Sequence, residues 1–292
     1  MKPENRTAGI MWMLATMVCF ITLDATMKYS LQSYSLVEVT WARFFFATVT
    51  AIIFCGRDTT KLLVAQSPKT QALRSVLLMT TTTLFGAGIA YVALPTGTVI
   101  MFMSPIFVTI LSNLVLGEHV GIRRWSSIVI GFVGALIVIR IWETGFSGLN
   151  AGVLFLLGAA LANACYQIAT RQLRHELPLT TLLYTAAAGT IVLSFALPFH
   201  WSQPSLSGWM ILVVCGVAGG VGHLCLIKAF QVAPASVVAP FAYSSLVWAT
   251  AFGFLIWRDI PQWTTLLGAA LIVGSGLYIF VRERNTTMMT ET

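Results

Sequence analysis

The chain has 292 residues and a formal net charge of +7. Its mean hydropathy is +0.84, with 57% apolar and only 9% charged residues. Soluble domains carry roughly a quarter charged residues, so this composition argues against a soluble enzyme or a nucleic-acid-binding protein and predicts a polytopic membrane protein. The positive charge is then a topology signal and a contact surface for anionic lipid.

Ten apolar segments follow one another when the sequence is divided at its glycines, prolines and charges. Each has about 17–23 residues, enough for a helix to cross a hydrocarbon core of about 30 Å. In chain order they are 8–27, 36–55, 71–91, 96–116, 125–141, 149–170, 179–199, 208–229, 235–257 and 263–281. The first is longer than the core of a signal peptide and is predicted to be an uncleaved helix. We therefore predict an all-α integral membrane protein with ten transmembrane helices.

The basic residues predict the orientation, because Lys and Arg accumulate on the cytoplasmic side of helical membrane proteins. With the N-terminus inside, most of the 17 Lys and Arg residues fall on the inner side, and Arg74 is counted there. Lys28, Arg140 and Arg258 fall on the outer side, and Arg43 lies within the second segment. Both termini are then cytoplasmic.

Charged residues near the outer ends of the first two segments are candidates for function. Asp24 and Lys28 are four residues apart, in the order that favours an intrahelical pair; alternatively, Asp24 is a proton-coupling carboxylate. Arg43 lies about 10 Å from the outer end of its segment at 1.5 Å per residue. A charge at that depth needs a partner or water. Arg43 therefore either binds a substrate carboxylate in a cavity, or caps backbone carbonyls, or pairs with Glu38 or Asp24.

Two prolines, Pro105 and Pro240, lie inside the fourth and ninth segments. Each removes a backbone hydrogen bond and kinks its helix, and the freed carbonyls are tolerated only against protein or a water-filled cavity. We therefore expect these two helices to bend between states and to gate a pathway. The neighbouring candidates for cavity lining are Met101, Met103, Ser104, Tyr243, Ser244 and Trp248.

Polar side chains in other segments extend this candidate site. A substrate with an apolar side chain would contact the Met and aromatic residues, and its polar end would bind elsewhere. The candidates for that end are Arg43, Ser104, Asn163, Tyr166 and Gln167. Helix packing or lipid contact explains each lining residue equally well. His223 ends a glycine-rich stretch and either gates the inner half by changing charge near neutral pH or packs where small residues allow close helix approach.

Enzyme motifs are absent from the sequence. His175-Glu176 is not followed by a second histidine at metalloprotease spacing, and there is no G-x-S-x-G motif and no Walker-type loop for ATP. The five cysteines show no spacing typical of disulfides or of zinc. We therefore predict no enzymatic activity, no cofactor and no metal. Transport would use a gradient, with protons as a candidate coupling ion, or would run downhill.

The two halves of the chain end alike. A proline is followed by Gly117-Glu118 or by Arg258-Asp259, and then by an apolar run. Because each half has five helices, an odd number, the second half enters the membrane with opposite polarity and the repeats are inverted. We predict a first repeat at 1–145, a second at 146–284 and a polar tail at 285–292. Duplicated membrane units of this kind are typical of transporters.

Three stretches resemble a known family. The motifs DATMK at 24–28 and WARFFF at 41–46 resemble the opening of bacterial EamA-type transporters of the drug/metabolite transporter (DMT) superfamily. Residues 93–118 resemble the end of the first EamA repeat, and 229–272 resemble the end of the second. The resemblance implies a ten-helix carrier whose central cavity is formed mainly by helices 1–4 and 6–9, with helices 5 and 10 at the periphery.

The same resemblance implies a function. The family is similar to exporters of amino acids and related metabolites, including YddG-like exporters of aromatic amino acids. We therefore expect a bacterial inner-membrane exporter of aromatic or other apolar amino acids that works by alternating access. Alternatives are a multidrug or other metabolite carrier of the superfamily, and a membrane-embedded protein that transports nothing. The small multidrug pumps depend on a deeply buried acid in helix 1, whereas Asp24 is shallow.

Overall fold

The structure is a computed structural model that describes residues 5–55, 65–116, 122–140, 150–173, 176–233 and 238–290. Throughout these ranges the regular secondary structure is helical, which confirms the predicted all-α class. The Gly117-Glu118 pair and His175 lie outside the described residues.

Helices account for every predicted segment. The first half contains α1 (Arg6–Ser30), α2 (Leu36–Cys55), α3 (Pro68–Ile89), α4 (Leu94–Met101), α5 (Ser104–Leu116) and α6 (Ile122–Ile139). The second half contains α7 (Ala151–Gln172), α8 (Pro178–Ala196) with a 3₁₀ turn (Leu197–Phe199), α9 (Leu206–Val232), a 3₁₀ helix (Ala239–Ser244), α10 (Ser245–Phe252), a π-helical segment (Gly253–Trp257) and α11 (Trp263–Thr290). Thus α11 continues through most of the predicted polar tail.

Membrane-spanning character is strongest in six of these helices. Within the described residues, α1, α2, α3, α7, α8 and α9 are long and apolar enough to cross a bilayer, and four shorter apolar helices cover the other predicted segments. The chain is therefore an integral membrane protein.

The first helix of each half begins with the same capping device. The Oδ1 atom of Asn5 accepts from the amide of Ala8 at 2.9 Å, and that of Asn150 accepts from the amide of Val153 at 3.0 Å. An asparagine in this position satisfies one of the free amides of the first helical turn. The local sequence thus begins α1 and α7 in the same way.

Contacts between the halves come in matched pairs. Helix α1 packs along α9, and α3 packs along α7, which is the same pairing with the two halves exchanged. Likewise α2–α9 is matched by α3–α8, and α5–α7 is matched by α1–α10. Helices α2 and α8 pack on each other, as do α6 and α11. This is the pattern of two repeats related by a pseudo-two-fold axis, and the odd helix number of each makes them inverted.

Helices α6 and α11 cross closely at glycines. A Cβ atom added to Gly268 would lie 2.5 Å from the carbonyl oxygen of Gly134, and one added to Gly134 would lie 2.9 Å from the carbonyl oxygen of Gly268. Small residues of this kind let membrane helices approach. Apolar side chains of the same helices are exposed for contact with lipid, including Val129, Phe132 and Leu266.

The fourth predicted helix is interrupted just before its proline. Helix α4 ends at Met101, and α5 begins at Ser104 after a two-residue turn. Pro105 has no amide hydrogen to donate to the carbonyl of Met101, so the α-helical ladder cannot continue there. The expected distortion is therefore present at this position.

The ninth predicted helix is also discontinuous. It starts as a 3₁₀ helix that contains Pro240, continues as α10, and ends as a π-helical segment. The two interrupted helices touch, because the rings of Phe102 and Tyr243 are 5.3 Å apart in an edge-to-face arrangement. Discontinuous helices that meet inside the bundle are the usual place for a transporter's site.

Candidate functional site

Helices α1 and α2 each carry a charged residue of opposite sign inside the bundle. Asp24 and Arg43 are both half-buried, and each lies within electrostatic range of the other. No ion pair joins them in the part of the chain that the structure describes. Arg43 instead donates to the hydroxyl of Thr82 on α3, which fixes the guanidinium between the three helices.

Lys28 does not pair with Asp24. Its Nζ atom donates to the carbonyl oxygen of Val92 at 2.8 Å, lies 3.6 Å from Oδ2 of Asp259 and stands 4.9 Å from the ring centroid of Trp257. The intrahelical pair considered from the sequence is therefore not formed. This leaves the carboxylate of Asp24 without a hydrogen bond from any described residue.

Glu38, the other acid considered for Arg43, has a different partner. Its side chain is fully buried, and Oε2 accepts from the hydroxyl of Ser202 at 2.6 Å and from the amide of Ser202 at 3.1 Å. This contact ties the start of α2 to the connection between α8 and α9. The pair between Arg43 and Glu38 is therefore absent from the described residues.

Arg74 lies inside the bundle and not on the inner surface where the sequence placed it. The residue is 7% exposed. Its Nε donates to the hydroxyl of Thr170 at 2.8 Å, and one terminal nitrogen donates to the carbonyl oxygen of Thr181 at 3.2 Å and to the hydroxyl of Thr185. The other donates to the hydroxyl of Tyr166, whose ring centroid lies 4.5 Å from Cζ. Arg74 thus joins α3 to α7 and α8.

Tyr166 and His223 lie within electrostatic range of both arginines. The hydroxyl of Tyr166 accepts from Arg74, and the same side chain is within electrostatic range of Arg43. His223 on α9 is within range of both arginines, and its ring stacks edge-on against Phe20 at 5.0 Å. Residues from five helices are therefore within electrostatic range of one or both arginines.

Three predicted site residues form a separate hydrogen-bonded group. Asn163 and Gln167, one turn apart on α7, both donate to the hydroxyl of Ser104, each at 3.1 Å. Ser104 is 2% exposed and is the first residue of α5. The group therefore attaches α7 to the chain at the helix interruption.

The remaining predicted lining residues lie around the two interrupted helices. Met103 is 2% exposed and belongs to the main apolar core, against which Met101 packs. Trp248 packs between two apolar clusters that include residues of α1. Tyr243 contacts Phe102, and the buried hydroxyl of Ser244 has no hydrogen-bond partner among the described residues. In this conformation Met103 and Trp248 make packing contacts.

Arg74 and its threonine partners were not predicted as site residues from the sequence, although Tyr166 was. A signal was present, because Gln71, Arg74, Ser75 and Thr82 recur at helical spacing and share one face of α3, where all four are buried. Sequence position alone predicts Arg74 at the inner surface, because it lies only about 9 Å from the first residue of α3. The side chain points inward, which counting along the sequence does not reveal.

Family comparison matches both halves separately. The EamA-like transporter family matches residues 7–140 and again residues 150–281. A single family therefore accounts for nearly the whole chain as two copies, in line with the matched helix contacts.

Curated relatives match along most of the chain. The S-adenosylmethionine uptake transporter of Rickettsia bellii is 29% identical over 285 residues, which cover 96% of this chain and 96% of that protein. The riboflavin transporter of Vibrio cholerae is 32% identical over 280 residues, which cover 93% of this chain and 92% of that protein. The pseudopaline exporter CntI of Pseudomonas aeruginosa is 31% identical over 191 residues, which cover 63% of this chain and 65% of that protein.

A protein of known crystal structure shares the fold. It superposes with a TM-score of 0.69 at 14% sequence identity, and the match covers 97% of this chain and 99% of that chain. At this identity the likeness concerns the fold alone.

Proposed function

Because this chain belongs to the EamA-like transporter family of the DMT superfamily, we propose that it carries small zwitterionic metabolites across a bacterial inner membrane by alternating access. Aromatic and other apolar amino acids, and compounds built from them, are the proposed substrates. The observation that carries the proposal is the pair of opposed charges, Asp24 and Arg43, which lie within electrostatic range without forming an ion pair in the described structure.

Arg43 is suited to a carboxylate. A guanidinium offers a planar fork of donors that matches a carboxylate in bidentate geometry. The hydroxyl of Thr82 takes one donor and orients the others. A guanidinium beside apolar helices needs a compensating anion, and a substrate carboxylate supplies one.

Asp24 is suited to the ammonium group of the same substrate. Its carboxylate is half-buried and has no hydrogen bond from the described residues, so its acceptor capacity is available. A substrate with an ammonium and a carboxylate on one carbon would neutralise both protein charges together. The apolar part would then lie toward Met101, Tyr243 and Trp248, as the sequence predicted.

The name of one relative supports the substrate class, whereas the riboflavin named in the Vibrio cholerae relative is not a zwitterion of this kind. S-adenosylmethionine, named in the Rickettsia relative, is an amino-acid derivative with an ammonium and a carboxylate. That relative is named for uptake, whereas CntI is named for export. Alternating access runs both ways, so the gradient sets net flux. Export is the direction that the resemblance to amino-acid exporters favours, and uptake is the direction that the Rickettsia relative favours.

Purified protein in liposomes tests the proposal. The panel contains labelled phenylalanine, tryptophan, leucine, S-adenosylmethionine and riboflavin, with and without a pH gradient. We expect saturable exchange of at least one zwitterion, and stimulation by the pH gradient if protons are coupled. If no zwitterion of the panel exchanges faster than leak from protein-free vesicles, the proposal is wrong.

Substrate analogues test the two charges separately. Arg43→Gln should reduce transport of phenylalanine but not of phenylalaninamide, which has no carboxylate. Asp24→Asn should reduce transport of phenylalanine but not of 3-phenylpropionate, which has no ammonium. Equal losses for a substrate and its analogue would show that the residue does not contact that group.

A further inference from the structure

We propose that Arg74 forms a second carboxylate-binding station in the cytoplasmic half of the pathway, which receives the substrate in exchange with Arg43. This inference rests on the proposed function, since it assumes a substrate with a carboxylate. Arg43 lies about 10 Å from the outer end of α2, and Arg74 lies about 9 Å from the opposite end of α3. The two guanidiniums are therefore at different depths of one bundle.

The positive charge of Arg74 has no anionic partner among the described residues. Each of its hydrogen bonds goes to a neutral hydroxyl or to a backbone carbonyl. Glu176 accepts from the amide of Ser67 at 2.8 Å, which places its carboxylate beyond the start of α3. A buried guanidinium without an anion is unfavourable in an apolar bundle. A substrate carboxylate would compensate it.

Two hydrogen-bond donors at Arg74 and its neighbours remain available for such a carboxylate. Arginine has five N–H donors, and four bonds to the protein are present. The hydroxyls of Thr170 and Thr185 donate to backbone carbonyls of their own helices. The hydroxyl of Tyr166 accepts from Arg74, and its hydrogen has no acceptor within the described ranges. One N–H of Arg74 and the O–H of Tyr166 are therefore available together.

Gln71 is an independent sign of a ligand at this place. It lies one turn from Arg74 toward the cytoplasmic end of α3 and is 0% exposed. Its Nε2 donates to the hydroxyl of Thr181 at 3.2 Å, whereas its Oε1 is buried without a hydrogen-bond partner from the described residues. A buried amide oxygen without a donor is unfavourable, and a substrate ammonium would satisfy it. Arg74 and Gln71 thus repeat the cation and acceptor arrangement of Arg43 and Asp24.

Two side chains lie within electrostatic range of both stations. Tyr166 is bonded to Arg74 and lies within range of Arg43, and His223 lies within range of both. Because the bonds of Arg74 hold α3 to α7 and α8, a carboxylate that competes for this guanidinium would loosen contacts between the repeats. Occupancy of the inner station would in this way favour movement of the helices.

Sided transport measurements test the inference. Labelled L-phenylalanine is offered either to the cytoplasmic face or to the outer face of reconstituted protein, with phenylalaninamide as the neutral analogue. Arg74→Gln should raise KM for phenylalanine at the cytoplasmic face about tenfold, since charge-assisted hydrogen bonds of this kind contribute at least that factor. KM at the outer face and phenylalaninamide transport should stay within about twofold of wild type.

Control variants separate binding from folding. Arg6→Gln removes an exposed arginine from the same end of the bundle and should leave both KM values unchanged. Arg43→Gln should raise KM mainly at the outer face. Tyr166→Phe keeps the ring against the guanidinium and removes only the hydroxyl, and it should raise the cytoplasmic KM in a protein that keeps its arginine. Arg74→Lys should restore part of the affinity lost in Arg74→Gln.

Three results would overturn the inference. Equal losses for phenylalanine and phenylalaninamide in Arg74→Gln would make Arg74 a structural tie between helices. An unchanged cytoplasmic KM in both Arg74→Gln and Tyr166→Phe would remove the station while leaving the proposed function intact. If wild-type protein carries no zwitterion at all, the proposed function fails and the inner station fails with it.

Discussion

Lys28 of the first repeat and Asp259 of the second form an ion pair, with Nζ 3.6 Å from Oδ2. The same amine donates to the carbonyl oxygen of Val92 at 2.8 Å. Arg258, just before Asp259, adopts a left-handed conformation with φ 61° and ends the π-helical segment. This turn directs Asp259 toward α1. Three parts of the chain thus meet at the predicted outer end of the bundle.

Removing the charge of Asp259 should lower the stability of the protein less than removing the amine of Lys28. Asp259→Asn should lower the free energy of unfolding by less than about 1 kcal/mol, because the pair is partly exposed and the bond from Lys28 to Val92 remains. Lys28→Met should lower the free energy of unfolding by a larger amount, because the Val92 carbonyl also loses its hydrogen-bond donor. Apparent Tm in detergent measures both, and equal shifts would contradict this ranking.

Adding even one carbon atom at Gly268 should destabilise the protein. In Gly268→Ala the new Cβ would lie 2.5 Å from the carbonyl oxygen of Gly134 and 2.5 Å from Cγ2 of Val138. We expect overpacking to lower the free energy of unfolding by about 1–3 kcal/mol, which would be seen as a lower apparent Tm. Gly274→Ala in the same helix is the matched control, since no atom lies within 4 Å of its added Cβ. A similar loss in both variants would show that the α6–α11 crossing is not the cause.

Pro105 should control turnover more than affinity. Pro105→Ala restores an amide hydrogen that can bond the carbonyl of Met101, so α4 and α5 can join into one straighter helix. We expect maximal flux to fall several-fold with KM within about twofold, because Pro105 itself makes none of the proposed substrate contacts. Pro68→Ala is the control, since a proline in the first turn of α3 replaces no intrahelical bond. Wild-type turnover in Pro105→Ala would exclude the interruption as a hinge.

Both chain ends should be on the cytoplasmic side. Ten crossings, an even number, return the chain to its starting side, and the basic residues favour the cytoplasm. Epitope tags at the two ends should become accessible to antibody only after the inner membrane of spheroplasts is permeabilised. Accessibility of one tag before permeabilisation would contradict the inverted-repeat arrangement.

The helices themselves could be predicted because the bilayer fixes their length. Residues 36–55 were predicted as a segment, and α2 spans Leu36–Cys55. Apolar runs of this length can satisfy their backbone in lipid only as helices. The same rule does not reveal that α4 and α5 are separate, although Pro105 predicted a distortion there.

Side-chain partners were harder to predict, because they depend on residues far apart in sequence. The intrahelical attraction of Asp24 and Lys28 is worth at most about 0.5 kcal/mol, and the carbonyl of Val92 with the carboxylate of Asp259 outweighs it. Arg74 was misplaced for a related reason. Its hydroxyl partners come from α7 and α8, and their proximity to α3 follows only from the packing of the two repeats.

The matched helix contacts contrast with the distribution of charge. Asp24, Glu38, Arg43 and Arg74 all come from the first repeat. The eighth residue of α2 is Arg43, whereas the eighth residue of α8 is Thr185. The second repeat supplies neutral partners such as Tyr166 and Gln167. If the two halves exchanged conformations, the helix packing would be reproduced but the electrostatic energy would change. The inward-facing and outward-facing states therefore differ in free energy. If the carrier alternates between two such states, we expect one of them to be its resting orientation, set by charges that only one half of the duplicated chain supplies.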